Sequence, residues 1–392
     1  MLALEAPQWL KDPLASFSLS YDQQRLAARY LTGLVVSSNK TISGISSVFP
    51  RQSGIALNRL LTQYDWNEKT INAERLEYMQ RHNETRRSRK GVLIIDDVIV
   101  EKTGRHIPYV GKFYDHSKGR YVMGQNVVEM HYADTKTDYP IDYRFYVKKG
   151  SDGFRTKIEI ACELVRQAQS MPVSTIVWDR WYTCRELVET VEKTRKFWIG
   201  GCKSNLLVRW NGRYVSVEDW AQSLDRKKFR TVEVKGKNLL VYGRHLYIKS
   251  LGCVRRLIVS VRRSSSGREE ILYLLTNRTD HMDAILGHYT LRWKIECFHK
   301  DAKQHLGVGR LQARSVVGIR RNWYLVFLAH ALLRLGVSES SFGRTLIRST
   351  GRKARKVCLD LLEDFISWVI TTCNECGDQN KLHEIMEVFI NR

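Results

Sequence analysis

The spacing of apolar residues predicts helices at the start of the chain. Between Tyr21 and about Gln80, apolar side chains recur every three or four residues, as in Leu26, Tyr30 and Leu31 and again in Leu57, Leu60 and Leu61. We therefore expect a helical N-terminal region. Its segments 41–48 and 54–64 are compatible with a DNA-binding helix-turn-helix and equally with a plain helical bundle.

The pattern becomes strand-like after the basic segment 81–90, which we interpret as a linker that binds phosphate. Apolar runs predict strands, and amphipathic runs between them predict helices at 156–169 and 184–194. The predicted strands are 92–95, 121–132, 141–147, 175–178 and 197–200. The order βββαβαβ is the one found in ribonuclease H-like domains. The predicted fold class is therefore α/β, with a ribonuclease H-like mixed sheet.

Short alternating strands, separated by turns at Asn211–Gly212 and Gly236–Lys237 and a loop at 264–267, predict a β-rich insertion from about 203 to 278. Helical spacing then returns at Met282 and continues to the end. Its apolar stripe at Leu361, Leu362, Phe365, Ile366 and Val369 is interpreted as core, with dimerisation as the alternative. The predicted organisation begins with a helical DNA-binding region and basic linker at 1–90 and the first part of the catalytic core at 91–202. The β-rich insertion follows at 203–278, the second part of the core at 279–345 and a helical C-terminal region at 346–392.

The charge balance indicates an anionic partner. The chain has 64 Lys and Arg against 41 Asp and Glu, a net charge of +23, and phosphate neutralisation with release of counterions favours nucleic acid. No apolar run approaches the roughly 18 residues of a membrane span, and the start lacks the order of a signal peptide. We expect a cytoplasmic protein with no membrane partner. The Cys373–Cys376 pair lacks the other ligands of a zinc site.

One window carries four polar groups on one side of a predicted helix. Tyr289, Arg292, Glu296 and Lys303 fall within about 60° of one another and span about 21 Å, a length suited to several DNA phosphates. An ordinary solvated helix face with Glu–Lys pairs gives the same pattern.

Two aspartates follow predicted strands, and they favour a catalytic site over an ordinary solvated helix face. Asp97 comes closely after the strand 92–95, and Asp179 directly follows 175–178. Neighbouring strand ends could bring both beside Glu296, where hard divalent cations would neutralise the carboxylates. A helix cap or turn is the commoner role of a lone Asp. Asp96 adjoins Asp97, and alternation along a strand allows only one of them to face the metals.

The window Tyr289-x2-Arg292-x3-Glu296-x6-Lys303 resembles the YREK signature of bacterial DDE insertion-sequence transposases. The segments 95–97 and 177–182 are similar to the strands of that family that carry its two aspartates. The resemblance implies that Asp97, Asp179 and Glu296 are the catalytic residues and ligands of two Mg²⁺ ions, for which Mn²⁺ can substitute. It implies DNA contacts for Tyr289, Arg292 and Trp293; a buried helix aromatic is the alternative for Trp293.

The resemblance implies a phosphate contact for Lys303 as well, and Lys300 beside it is a further candidate. The persistent positive charge extends the expected DNA surface across the last third of the chain, to Arg310, Arg314, Arg320, Arg321, Arg344, Arg348, Arg352, Lys353, Arg355 and Lys356. The segment 114–120 is similar to one in the family between the first two strands, and its cations are further candidates; a solvated hairpin is the alternative. Many relatives have Thr after the first aspartate, where this chain has Val98.

The resemblance implies a cut-and-paste DNA transposase. Such an enzyme binds the inverted-repeat ends of a transposon, hydrolyses a phosphodiester and transfers the 3′ hydroxyl to target DNA. The implied partners are double-stranded DNA and a second copy of the chain in the DNA complex, and the implied location is the bacterial cytoplasm, at the nucleoid. A related nuclease that does not join ends is one alternative. A catalytically inactive or domesticated DNA-binding protein is the other.

Overall fold

A computed structural model describes residues 3–50, 52–104, 106–263, 268–337 and 349–376. Chain contacts divide it into two compact units. The first contains 1–82, 100–125 and 298–392, and the second contains 83–99 and 126–297. Of the sequence-based expectations, Arg344, Arg348 and the side chains of Cys373 and Cys376 lie outside the described residues. No helix within the described ranges is long and apolar enough to span a bilayer.

The first unit is mainly helical, as the N-terminal pattern predicts. Its helices are α1 (Gln8–Ala15), α2 (Tyr21–Val36), α3 (Ile42–Ser46), α4 (Gly54–Thr62), α5 (Glu68–Arg81), α11 (Val316–Gly336) and α12 (Thr350–Cys376). Helix α11 is buried over most of its length, because α1, α2, α4, α5 and α12 pack against it. The buried hydroxyl of Tyr30 donates a hydrogen bond of 2.7 Å to Asn322 of α11.

Helix α12 differs from the expectation that its apolar stripe is core. Leu361 is buried, but Leu362 and Ile366 are 45% and 48% exposed. The stripe is wider than the face that α12 buries, so helical periodicity alone overestimated the core in this helix.

The second unit is built around one mixed sheet. Its strands are β1 (Val92–Glu101), β3 (Arg120–Ala133), β4 (Asp138–Tyr146), β5 (Thr175–Trp178), β6 (Phe197–Gly201), β7 (Leu207–Trp210), β8 (Arg213–Ser216), β9 (Arg230–Val234), β10 (Lys237–Ile248), β11 (Cys253–Arg263) and β12 (Glu269–Thr276). The strand order is β3, β1, β5, β6, β12, β11, β10, β7 and β8, with β4 on β3 and β9 on β10. The ends of β1 and β3 belong to the first unit, where β2 (Val110–Asp115) pairs with 120–125. Strand β2 was not predicted.

The β-rich insertion continues the sheet instead of forming a separate layer. Strand β12 pairs antiparallel with β6 from Ile199 to Gly201, and β11 and β10 follow outward. The sequence predicted the turn at Asn211–Gly212, where both residues have positive φ. The next turn is at Lys235–Gly236, one residue before the expected Gly236–Lys237.

Helices α6 (Lys157–Gln167), α7 (Arg185–Lys193), α8 (Val217–Gln222) and α9 (Met282–Thr290) lie in the second unit, with a short 3₁₀ helix at Arg226–Lys228. Helix α6 starts after a capping box in which Thr156 and Glu159 exchange hydrogen bonds. The unit boundary falls within α10 (Trp293–His305). One face of the sheet, with Val92, Ile94, Val177 and Ile199, packs against α9 and α10.

The polar window does not lie on one continuous helix, contrary to the expectation. Tyr289 is in α9, Arg292 is in a turn, and Glu296 and Lys303 are in α10. At the break the amides bond to the carbonyl three residues back, as in Arg292 to Tyr289 at 3.0 Å and Ile295 to Arg292 at 3.3 Å. Leu291 and Ile295 both lie in the core at this turn.

Candidate active site

Two aspartates lie side by side where the pairing of two adjacent parallel strands ends. Strand β1 continues to Glu101, so Asp96 and Asp97 lie within it and not after it, contrary to the expectation. Strand β1 pairs with β5 in parallel register, and Ile95 is opposite Trp178. Asp96 and Asp179 occupy the next positions on the two chains. Because register partners in a parallel pair project to the same side of the sheet, these two carboxylates start from neighbouring backbone positions on one face.

Alternation along β1 decides which of the paired aspartates faces α10. Val92 and Ile94 belong to the core beneath α9 and α10, together with Ile285 and Ile295. Asp96 continues that parity, so its side chain points to the same face. Asp97 projects to the opposite face of the strand.

Arg292 joins the first aspartate position to the glutamate. Its guanidinium donates to Asp96 Oδ2 at 3.0 Å and lies 2.6 Å from Glu296 Oε1. Burial opposes the positive charge, but the carboxylates of Asp96 and Glu296 outweigh it and raise the pKa of Arg292. Asp96 and Glu296 therefore share one partly buried cation.

Asp97 has different partners. Lys157, the first residue of α6, lies 2.6 Å from Asp97 Oδ2, and the Tyr182 hydroxyl donates to Oδ1 at 2.9 Å. Burial, followed by the charge of Asp97, raises the pKa of Tyr182 well above its usual value. Tyr182 stays neutral and remains a hydrogen-bond donor to this carboxylate.

Asp179 is held by the loop that follows β5. The amides of Trp181 and Tyr182 donate to its Oδ1 at 2.8 and 3.3 Å, so the loop closes on the carboxylate. Tyr182 thus contacts Asp97 through its hydroxyl and Asp179 through its backbone. This leaves Asp179 Oδ2 as the oxygen that these loop amides do not engage.

Among the residues that the structure describes, no three His, Cys, Asp or Glu side chains are close enough together to hold a metal ion. The set of Asp97, Asp179 and Glu296 is therefore not assembled as a three-ligand cluster. Arg292 lies between Asp96 and Glu296, and Lys157 engages Asp97. The chemistry of these side chains suits a hard divalent cation, because carboxylate oxygens are the ligands that Mg²⁺ prefers.

A cavity of about 390 Å³ opens beside these groups. Asp179, Tyr289 and Arg292 border it on one side, and residues of β12, including Ile271 and Tyr273, border it on the other. Burial raises the pKa of Tyr289, so its phenol is a neutral donor. The cavity is open and is lined by groups that bind phosphate and by apolar groups.

Of the other residues predicted to bind DNA, Arg321 and Lys353 are buried against backbone carbonyl groups, contrary to the expectation. Trp293 is 61% exposed, which excludes the alternative that it is a buried helix aromatic. Lys300, Lys303, Arg310 and Arg314 are exposed in the first unit. Their exposure is compatible with phosphate contact, which remains a prediction.

Sequence reasoning missed two residues that the site brings together. Tyr182 is part of the segment 177–182 that resembles the family, but the sequence gives no sign that its hydroxyl contacts Asp97. Lys157 is far from both aspartates in the sequence and was simply the start of a predicted helix. The one available signal was the capping box at Thr156, which fixes where α6 begins and therefore where Lys157 lies.

Comparisons with known proteins identify two matching families. A family described as DDE superfamily endonuclease matches residues 16–228, a range that includes Asp96, Asp97 and Asp179. A family described as archaeal putative transposase ISC1217 matches 144–346, which includes Asp179 and Glu296. Comparison with curated proteins gave no match. Among solved structures, the NurA nuclease from Sulfolobus solfataricus is 10% identical over 55% of this chain and 80% of its own, with a TM-score of 0.26.

Proposed function

The chain belongs to the DDE superfamily of endonucleases, and we propose that it is a transposase that cuts DNA at transposon ends and joins the freed 3′ hydroxyl to target DNA. The observation that carries this proposal is the shared Arg292, which links Asp96 to Glu296 on the face where Asp179 ends its strand. The strand order β4, β3, β1, β5 and β6 supports a ribonuclease H-like core.

We propose Asp96, Asp179 and Glu296 as the ligands of two Mg²⁺ ions, with Mn²⁺ as a substitute. Asp96 takes the place of Asp97, which the family resemblance implies, because the Asp96 side chain points to the sheet face covered by α10 and shares Arg292 with Glu296. When bound, such a pair of ions stabilises charge on the entering and leaving oxygens of a phosphodiester. Arg292 then has to turn from the carboxylates towards the DNA phosphates.

The residues of the chain have separate roles in this proposal. Arg292 and Tyr289 bind phosphate oxygens at the cavity, the first as a cation and the second as a neutral donor. Asp97, held by Lys157 and Tyr182, positions the start of α6 and the loop after β5 around Asp179. In cleavage, the oxygen of water bonds to phosphorus as the bond to the 3′ oxygen breaks. The proton that the water gives up goes to the 3′ oxygen, which leaves as a hydroxyl. In joining, this 3′ oxygen bonds to a phosphorus of target DNA and gives up its proton, while the bond from that phosphorus to the target's own 3′ oxygen breaks and that oxygen takes up a proton.

The proposed complex consists of two copies of the chain and two double-stranded transposon ends, and basic residues of the first unit bind the DNA. Lys300, Lys303, Arg310 and Arg314 contact phosphates, and two copies of the chain hold a pair of transposon ends. The location we propose is the cytoplasm, at the nucleoid. The net charge of +23 supports DNA as the partner.

The test is metal-dependent cleavage of a plasmid that carries the native coding region with its genomic flanks. The full chain should cut at the flanks with Mg²⁺ and not with EDTA, and sequencing of the products should show joined 3′ ends. Asp96→Asn and Glu296→Gln should each lower cleavage about a thousandfold or more, the range of residues that act as one unit. Glu233→Gln, an exposed change in β9, is the matched control and should leave cleavage unchanged.

The variant Asp97→Asn separates the two assignments of the first aspartate. We expect it to retain measurable cleavage with weaker activity, since it acts through Lys157 and Tyr182. If Asp97→Asn is inactive and Asp96→Asn is active, Asp97 is the ligand. DNA binding without any metal-dependent cleavage would identify an inactive or domesticated binder and overturn the enzyme proposal.

A further inference from the structure

The β2–β3 hairpin of the first unit presents two different faces. Phe113 and Val122, which are register partners, are both buried. The partners on the other face, Tyr114 with Tyr121 and Lys112 with Met123, are exposed. Tyr121 is 62% exposed, and Tyr114 and Met123 are 43% and 44% exposed. Three large apolar side chains therefore stand on one solvent-facing patch.

The aromatic rings of this patch are ordered against one another. The ring centroids of Tyr114 and Tyr121 are 5.2 Å apart at 73°, and those of Tyr114 and His116 are 5.0 Å apart at 78°. The ammonium of Lys112 lies 5.4 Å from the centroid of Tyr121. These edge contacts fix the rings while a large part of their surface stays open to solvent.

The hairpin tip is also held in place, and it is basic. Asp115 accepts hydrogen bonds from the amide and hydroxyl of Ser117 at 2.9 and 2.6 Å, and Gly119 takes the positive φ that the turn requires. Lys118 pairs with Glu101. The hairpin carries three cations, Lys112, Lys118 and Arg120, against the single carboxylate of Asp115.

We propose that this face of the β2–β3 hairpin is a stacking platform for unpaired bases of DNA. Exposed rings beside cations are the combination that binds single-stranded nucleic acid, since every base offers a π face and every nucleotide a phosphate. A duplex keeps its bases stacked inside and offers only phosphates to the patch. The platform thus recognises DNA that is already opened or distorted.

This inference rests on the proposed function only in taking DNA as the partner. Its test therefore uses binding in EDTA, where cleavage plays no part. Fluorescence anisotropy of the full chain is measured with a duplex and with the same duplex carrying a short single-stranded gap. We expect tighter binding to the gapped DNA. We also expect Tyr121→Ala to weaken that binding about tenfold, the loss of one base–aromatic stack.

Matched variants separate stacking from folding. Tyr121→Phe should bind like the native chain, while Tyr121→Leu should bind like Tyr121→Ala, because it keeps an apolar side chain but loses the ring. Tyr21→Ala, at a tyrosine that is 80% exposed at the start of α2, should have no effect. All variants should bind the intact duplex equally.

A crosslinking measurement gives a second readout on the native chain. DNA with 5-iodouracil in the gap should, on irradiation, modify the tryptic peptides 113–118 or 121–136, which contain Tyr114 and Tyr121. Equal affinity for gapped and intact duplex, or a gap preference that survives Tyr121→Leu, would overturn the platform while leaving DNA binding itself standing. Absence of binding to either DNA would instead remove the proposed function.

Discussion

At the residue scale, the pair Asp96–Asp97 shows what a sequence leaves open. Alternation along a strand predicts that only one of the two carboxylates faces a given side, but it does not reveal which side is covered by α10. That information comes from the packing of Val92 and Ile94 under α9 and α10, a tertiary contact with no local signal. The choice of the second aspartate was simpler, because Asp179 is the single acidic residue directly after β5.

His131 provides a residue-scale prediction about pH. It is fully buried on β3, with Nδ1 3.1 Å from Glu129 Oε1 and Nε2 3.6 Å from Asp138 Oδ2, and Lys294 lies 3.3 Å from the other Asp138 oxygen. Burial alone lowers the pKa of His131, but the two carboxylates outweigh it and raise the pKa above 6.5. Protonated His131 therefore stabilises the folded chain below about pH 6.5, and this contribution is lost as the pH rises through the folded pKa.

Urea unfolding midpoints from pH 5.5 to 8.5 test this dependence. The native chain should lose stability as the pH rises, and His131→Gln should be less stable at pH 5.5 with a flatter profile. His106→Gln, at an exposed histidine, is the control and should keep the native slope. The same slope in His131→Gln and the native chain would show that another group is responsible.

At the element scale, the sequence predicted most helices and strands but not how the polar window folds. Periodicity placed Tyr289, Arg292, Glu296 and Lys303 on one stripe, whereas the chain turns sharply between α9 and α10. No Pro or Gly marks that turn. Leu291 and Ile295, four residues apart, are both in the core at this turn, as they would be on a continuous helix, so the apolar pattern carries no signal of the break.

The end of β6 allows an element-scale prediction. A Cβ at Gly201 would lie 2.6 Å from the Arg180 amide nitrogen and 3.0 Å from the Tyr289 hydroxyl. Gly201→Ala should therefore displace the loop that carries Asp179, destabilise the chain by about 1–3 kcal/mol and lower cleavage. Thermal unfolding and the plasmid assay measure the two effects.

Gly287→Ala is the control for that substitution. Gly287 lies in α9, and a Cβ there meets no atom within 4 Å. Alanine should raise stability by about 0.5–1 kcal/mol through its helix propensity and leave cleavage intact. If Gly201→Ala is as stable and active as Gly287→Ala, the close approach at β6 does not position the loop.

At the scale of the whole molecule, the net charge of +23 predicts strongly salt-dependent binding to double-stranded DNA. If six to ten phosphates are contacted, affinity should fall about a thousandfold or more between 50 and 200 mM salt. Titrations of a duplex in EDTA at several salt concentrations measure the slope. Arg310→Ala should reduce the slope by about one contact, and a slope near zero would contradict phosphate-dominated binding.

The net charge predicts DNA as the partner, and the window from Tyr289 to Lys303 predicts metal-dependent phosphodiester chemistry. Neither predicts how the β-rich insertion connects to the central sheet. The alternating strands between 203 and 278 predicted β structure there. They did not predict that β12 would pair with β6 and prolong the central sheet. The alternation of apolar and polar residues in a single sequence does not show which strands, distant along the chain, pair with one another.

That continuity has a consequence for shortened versions of the protein. Removing the insertion to obtain a minimal enzyme would take away β12 and leave the amides and carbonyls of Ile199, Gly200 and Gly201 without their ladder partners. A bare, apolar strand margin of this kind recruits other chains by intermolecular pairing. We expect the shortened protein to precipitate or to elute as oligomers on size-exclusion chromatography. On this prediction, the insertion also prevents self-association by covering β6.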